Sequence, residues 1–156
     1  TVSWIDASLR QKVRDVVVGK IPQGLALTPD GRTLLVANYG SDAVSLISLQ
    51  EHRELARIAT GRGPVEITVS PDTGLAYVSC FEDGAVSVLE LNQIREVARL
   101  AVGSQVFGIA AHPAGKRIYV CSGGTDEVVV VRDAPTPSVL RRIPVQGSPT
   151  LLTVAP

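Results

Sequence analysis

Methionine is absent from this sequence of 156 residues, tryptophan occurs once, and aromatic residues make up only 4% of the chain. So sparse a set excludes a fold in which every structural unit docks its own tryptophan. An excess of one charge is also missing. The 15 Lys and Arg are balanced by 15 Asp and Glu, which removes the electrostatic case for nucleic acid or an anionic membrane as partner. No apolar run approaches the ~18 residues of a membrane-spanning helix. No stretch sustains the apolar period of an amphipathic helix for about ten residues. Cys80, Cys121, His52 and His112 lack the paired spacing of a zinc or haem site. With neither a phosphate-binding glycine loop nor a nucleophile elbow, no cofactor, metal or catalytic site is expected, and the balance falls towards a non-enzyme. The sequence opens with Thr-Val-Ser inside a strand-like pattern, as expected of a processed or partial chain.

What the chain does contain is a repeat. Turns beginning at Pro29, Pro71 and Pro113, in the strings TPDGRTLLV, SPDTGLAYV and HPAGKRIYV, recur at intervals of 42 residues. The apolar runs Val44–Ile47, Val86–Leu89 and Val128–Val131 keep that interval, with an earlier echo at Val2–Ile5. A junction holding Gly19 and Pro22 returns as Gly61 and Pro64, as Gly103 with Val106, and as Gln146 with Pro149. The last interval is 43 because one residue is added near Pro135–Pro137.

Each unit divides into four short β-rich runs, for example Leu25–Thr28, Leu34–Asn38, Ala43–Leu49 and Leu55–Thr60. Strands of about 5–6 residues and loops of about 4–6 fill such a unit. A four-stranded antiparallel blade is therefore predicted, and with it an all-β fold, the β-propeller. The pattern places blades at 19–60, 61–102 and 103–145, the last two strands of a blade at 1–18, and the first strand of another at 146–156. Partial blades at both ends are expected of part of a larger ring. Its end faces would be covered by remaining blades, a second copy or a partner subunit.

The second runs read Leu35-Val36-Ala37-Asn38, Tyr77-Val78-Ser79-Cys80 and Tyr119-Val120-Cys121-Ser122. Together with the preceding Pro-Asp-Gly turn and the following Val-Ser-Val-type strand, they resemble the YVTN repeat. No copy holds the full tetrapeptide, and the position of Gly31 is taken by Thr73 in the next copy. The resemblance implies a seven-bladed propeller of the cell envelope, hence periplasmic, cell-surface or extracellular. Surface-layer proteins belong to that family, and related propellers occur in periplasmic redox enzymes.

Further expectations follow from strand position. Arg57, Arg99 and Arg142 share one place in the fourth strands, with Asp15 in the partial copy, as fits a charged outer edge. Trp4 aligns with Leu46, Val88 and Val130 and is expected in the core. Asp30 and Asp72 are assigned to their turns through side-chain to backbone hydrogen bonds. Cys80 and Cys121 lie one residue short of a full repeat apart, so they point to opposite sheet faces and are expected to stay reduced and buried. His112, where other copies hold Thr28 and Ser70, reads as a turn residue.

Loops from the fourth strand to the next first strand, and from the second to the third, emerge on one propeller face. They hold the candidate binding residues Lys20, Tyr39, Arg62, Phe81, Glu82, Phe107 and Asp126. Aromatics beside charges suit recognition of a protein or small ligand. Alternatively, Tyr39 and Phe81 fold back over the blade ends. Two functional expectations result: an interaction or scaffold module of the cell envelope, or part of a redox enzyme subunit whose cofactor ligands lie elsewhere.

Overall fold

The computed structural model describes residues 1–155. Its strands alternate with turns at the spacing of the repeat. β1 (Val2–Asp6) and β2 (Gln11–Val16) form a hairpin. The first complete blade comprises β3 (Pro22–Leu27), β4 (Thr33–Asn38), β5 (Ala43–Ser48) and β6 (Arg53–Ala59). The second comprises β7 (Pro64–Val69), β8 (Ala76–Cys80), β9 (Ala85–Glu90) and β10 (Arg95–Ala101). The third comprises β11 (Val106–Ala111), β12 (Arg117–Ser122), β13 (Glu127–Arg132) and β14 (Ser138–Pro144). In each sheet, strands adjacent in sequence pair antiparallel, giving the meander of a propeller blade. The only helical segments among the described residues are the 3₁₀ turns Tyr39–Ser41 and Gly123–Thr125.

The expected opening strand at 146–156 does not form among the described residues: no strand follows Pro144, and Pro156 lies outside them. A first strand takes its ladder from the second strand of its own blade, and no such pairing strand is among the described residues. The segment does keep an inter-blade contact, since Gly108 donates its N–H to the Thr150 carbonyl at 3.0 Å.

Apolar side chains are buried most completely on the second and third strands. Every residue of β5 and β8 is buried, whereas the fourth strand β14 is almost wholly exposed. The physical cause is stacking: both faces of the middle strands meet neighbouring blades, while the fourth strands form the rim. One core joins the first and second blades through Leu35, Val44, Ile58, Ile67, Val78 and Leu89. Another joins the second and third through Tyr77, Val86, Val102, Ile118, Val120 and Val131. Each fully buried large apolar side chain contributes about 1.5–3 kcal/mol. Half-buried Trp4 packs on a third cluster of Val16, Val18, Val36 and Ile47, edge-on to His52 with ring centroids 5.7 Å apart.

The turns between first and second strands use glycine where the backbone goes left-handed, at Gly31 (φ +66°) and Gly115 (φ +70°). In the middle blade this place moves one residue along, to Gly74 (φ +70°), which is why Thr73 is tolerated at the Gly31 position. Asp30 caps its turn as expected, accepting from Thr28 Oγ1 at 2.6 Å and the Arg32 N–H at 3.0 Å. Asp72 does not: the Ser70 hydroxyl accepts the N–H groups of Asp72 and Thr73 at 3.1 and 3.0 Å, making the carboxylate redundant. His112 is a turn residue, its Nδ1 accepting the Ala114 N–H at 3.1 Å. Both cysteines are free and buried.

Candidate functional site

The face that carries the candidate residues is built by backbone first. Where the chain passes from one blade to the next it runs beside the loop between second and third strands, and the two are bonded together. Tyr39 N–H donates to Ile21 O at 2.9 Å, Phe81 N–H to Gly63 O at 2.8 Å, and Gly123 N–H to Gln105 O at 3.1 Å. Each loop then holds the chain leaving its blade, through Thr60 N–H to Asp42 O, Val102 N–H to Gly84 O and Val145 N–H to Asp126 O, at 2.9, 3.0 and 2.8 Å. Asp42, Gly84 and Asp126 occupy one repeat position, all with left-handed φ of 48°, 61° and 54°. That geometry ends the loop and aims the two aspartates forward. Asp42 Oδ1 accepts the Gly63 N–H at 2.9 Å, and Asp126 Oδ1 accepts the Ser148 N–H at 2.7 Å.

On this frame the side chains meet across seams between blades. Tyr39 of the first blade donates its hydroxyl to Glu82 Oε1 of the second at 2.9 Å, a bond that shifts the phenol's pKa upward. Phe81 of the second blade packs on Phe107 of the third with ring centroids 4.8 Å apart, both half-buried. Arg62 is exposed and binds Asp83, whose Oδ1 accepts Arg62 Nε at 2.7 Å and whose Oδ2 accepts the Arg62 N–H at 2.8 Å. Arg99 approaches the same Oδ2 at 3.3 Å while also pairing with Glu96. The main-chain N–H of Arg62 and then its guanidinium hold the Asp83 carboxyl below its usual range. Lys20 is exposed, and its main-chain N–H donates to Ser41 Oγ at 2.8 Å.

The structure thus joins Tyr39 with Glu82, Phe81 with Phe107, and Arg62 with Asp83, while Lys20 and Asp126 serve the loops through backbone contacts. Nothing local in the sequence singled out Asp42 or Asp83 as binding residues, and Arg99 read only as an edge charge. Asp42 and Asp126 stand two repeat lengths apart, and that recurrence was the available signal. At the ring axis the first strands crowd together: a Cβ on Gly24 would lie 2.5 Å from Val65 O, and one on Gly108 would lie 2.8 Å from Thr150 O. Glu66 occupies this repeat position in the middle blade. No group of three or more His, Cys, Asp or Glu placed to hold a metal occurs among the described residues, and none of their helices is long and apolar enough to cross a membrane.

The family described as lactonase, seven-bladed β-propeller, matches residues 25–147. The chain belongs to this family. The propeller of the sequence analysis is thereby shown; the family matched is the lactonase one rather than the YVTN repeat. No curated protein sequence matches the chain significantly. Among solved structures, this lactonase-family chain is similar to hydrazine synthase of Kuenenia stuttgartiensis, at 26% identity and TM-score 0.75, over 88% of the chain and 42% of that one. It is also similar to a putative 6-phosphogluconolactonase from Bacteroides uniformis, at 14% identity and TM-score 0.78, over 99% of the chain and 54% of that one. Dihydro-heme d1 dehydrogenase NirN in complex with DHE is similar at 18% identity and TM-score 0.76, over 95% and 34%. The last two likenesses concern the fold alone. The chain spans about half or less of the length of each of these structures.

Proposed function

We propose that this lactonase-family propeller is a binding module that presents its loop face to a protein partner, without catalysing a reaction there. The observation that carries the reading is the state of the ionisable groups on that face. Asp83 is engaged by an N–H and two guanidinium groups, Glu82 by a phenol, and Asp42 and Asp126 by main-chain N–H groups. Asp83, held below its usual range by those donors, is a poor general base. The same bonds fix a rigid pattern in which Phe81, Phe107 and Tyr39 stand beside charge, the composition of a recognition surface. The Pro-Asp-Gly turn at Pro29 and the Tyr-Val pairs at Tyr77 and Tyr119 support a YVTN-type repeat, and that resemblance supports a place in the cell envelope, in the periplasm or at the cell surface.

The test uses the full-length protein cross-linked in its native envelope fraction. Phe107→Ser combined with Glu82→Lys is expected to abolish the cross-linked partner band while circular dichroism keeps the parent's β spectrum and the melting temperature falls only by the loss of these two seam contacts. Turnover of a sugar lactone by the parent, lost in the Glu82 and Asp83 variants, would overturn the reading.

A second reading is favoured by the likeness to hydrazine synthase, which exceeds a quarter identity over most of the chain. In it, the propeller is one part of a redox assembly and the cofactor ligands lie outside these residues. His112 is a poor axial ligand here because its Nδ1 already accepts an N–H and its ring belongs to a turn. A haem absorbance stoichiometric with the purified native chain would favour this reading over the first.

A further inference from the structure

The seam between the second and third blades contains a polar fastener that the seam between the first and second lacks. Tyr77, fully buried on β8, donates its hydroxyl to Asp133 Oδ1 at 2.8 Å, and Thr73 donates to the same oxygen at 2.7 Å. Ser70 donates to Asp133 Oδ2. Asp133 is the first residue after the third strand of its blade and is itself buried. One repeat earlier both partners are apolar: Leu35 replaces Tyr77 and Leu91 replaces Asp133, and Leu91 packs on the core that contains Leu35. The side chain on the second strand and the residue after the next blade's third strand are therefore matched in chemistry, leucine with leucine and tyrosine with aspartate.

Tyr119 repeats Tyr77 one unit on, on the opposite face of the third blade. That face is open. A groove of about 300 Å³ there is lined by Arg117, Tyr119, Val130, Leu140, Arg141 and Ile143, apolar and cationic without a carboxylate. An adjoining groove of about 310 Å³ is bounded by Tyr119 and Val128 on one side and Leu152–Ala155 on the other, so the chain itself begins to cover the face. His112 stands where Ser70 stands in the preceding blade, with its ring centroid 6.4 Å from that of Tyr119. Because its Nδ1 accepts the Ala114 N–H, the neutral ring carries its proton on Nε2 and is free to donate as Ser70 does.

We propose that Tyr119 and His112 form half of an inter-blade carboxylate clamp, completed by the blade that residues 148–155 begin, with an Asp or Glu directly after its third strand. That acid lies one repeat beyond Asp133. The flanking Arg117 and Arg141 make the face attractive to a carboxylate and unattractive to a basic or wholly apolar surface. The clamp locks the blade stack where leucine pairs do not, because two directional hydrogen bonds, from Tyr119 and His112, set the register that apolar contact leaves loose; the third donor of the Asp133 site has no counterpart here, since Gly115 stands where Thr73 does.

The experiment places p-benzoylphenylalanine at position 119 of the full-length protein, irradiates the native sample and maps the cross-link by mass spectrometry. The expected product joins position 119 to the peptide one repeat beyond Asp133, with an acidic residue in the equivalent place. In the same protein Tyr119→Phe and the acid-to-amide change at that place should each lower the melting temperature, with the double variant no worse than the more damaging single one. Cross-linking to the adjoining residues 152–155 is also expected; a cross-link to a second copy of the chain, a cross-link to any further segment, an apolar residue at that place, or fully additive effects would each overturn the proposal. Should the photoreactive variant fail to fold, the additivity measurement decides alone.

Discussion

Tyr77 and Asp133 meet across the seam of the second and third blades, hydroxyl to carboxylate at 2.8 Å, with no solvent exposure at the tyrosine. Three hydroxyl donors converge on this one buried acid, so its removal strands the buried hydroxyls of Tyr77 and Ser70, while half-buried Thr73 can turn to water. Each stranded buried hydroxyl costs about 1–3 kcal/mol. Asp133→Ala is therefore expected to destabilise the full-length protein by on the order of 3 kcal/mol, and Tyr77→Phe by roughly 1–2 kcal/mol. Urea titration of the two variants checks both the size and the order; an Asp133→Ala protein as stable as the parent would refute the account.

The same contact gives stability a dependence on alkaline pH. Burial, followed by the bond to Asp133, drives the Tyr77 phenol above its ordinary value of 10.0. In the unfolded chain the phenol ionises near that ordinary value, whereas in the folded protein it stays protonated. Its contribution is thus complete below pH 10 and declines as pH rises above it, by about 1.4 kcal/mol per pH unit for one group. Tyr77→Phe, though less stable at neutral pH, should lose less stability than the parent between pH 10 and 12. Parallel pH profiles for the two proteins would count against the assignment.

Much of this was legible in the sequence because the repeat is local. Pro29, Pro71 and Pro113 mark turns that short-range backbone preferences create, and the apolar runs 44–47, 86–89 and 128–131 follow from burial on both faces, so blade and strand order came from spacing alone. The contacts between blades were not legible. Tyr77 and Asp133 are separated by 56 residues, and nothing local to either signals that they touch. Asp72 misled for a related reason: the Pro-Asp dipeptide matches that of Asp30, yet the Ser70 hydroxyl, also bonded to the distant Asp133, caps the turn instead. The strand expected over 146–156 is absent among the described residues, where no second strand pairs with it, because strand formation depends on a neighbour and not on the local sequence alone.

The two thiols should behave alike despite different surroundings. Cys80 Sγ lies 3.4 Å from Ser87 Oγ and Cys121 has no such partner among the described residues, but burial raises the pKa of both thiols above its usual value. A thiol kept neutral and buried reacts slowly. A disulfide reagent should modify neither in the native protein and both after denaturation without reductant. Fast modification of either cysteine in the native protein would mean that its blade opens.

Gly84 is the position where the repeat would mislead an engineer. Its equivalents are Asp42 and Asp126, both left-handed and both bearing a side chain, so aspartate reads as the natural replacement. The neighbouring connection differs, however. Gly103, itself at φ +154°, presents its carbonyl where a Cβ on Gly84 would stand, only 2.1 Å away. The two strands of chain cannot separate easily, because the N–H groups of Val102 and Gly103 both bond to Gly84 O at 3.0 and 3.1 Å. Gly31 supplies the control: its φ of +66° is similar, yet a Cβ there meets nothing within 4 Å. Gly31→Ala should cost only the left-handed penalty of about 1–2 kcal/mol, whereas Gly84→Ala and Gly84→Asp should each cost at least ~3 kcal/mol once the clash forces the loop apart. Chemical denaturation of the three variants distinguishes the cases, and equal losses at Gly31 and Gly84 would show that backbone conformation alone, rather than the contact with Gly103, demands glycine at position 84.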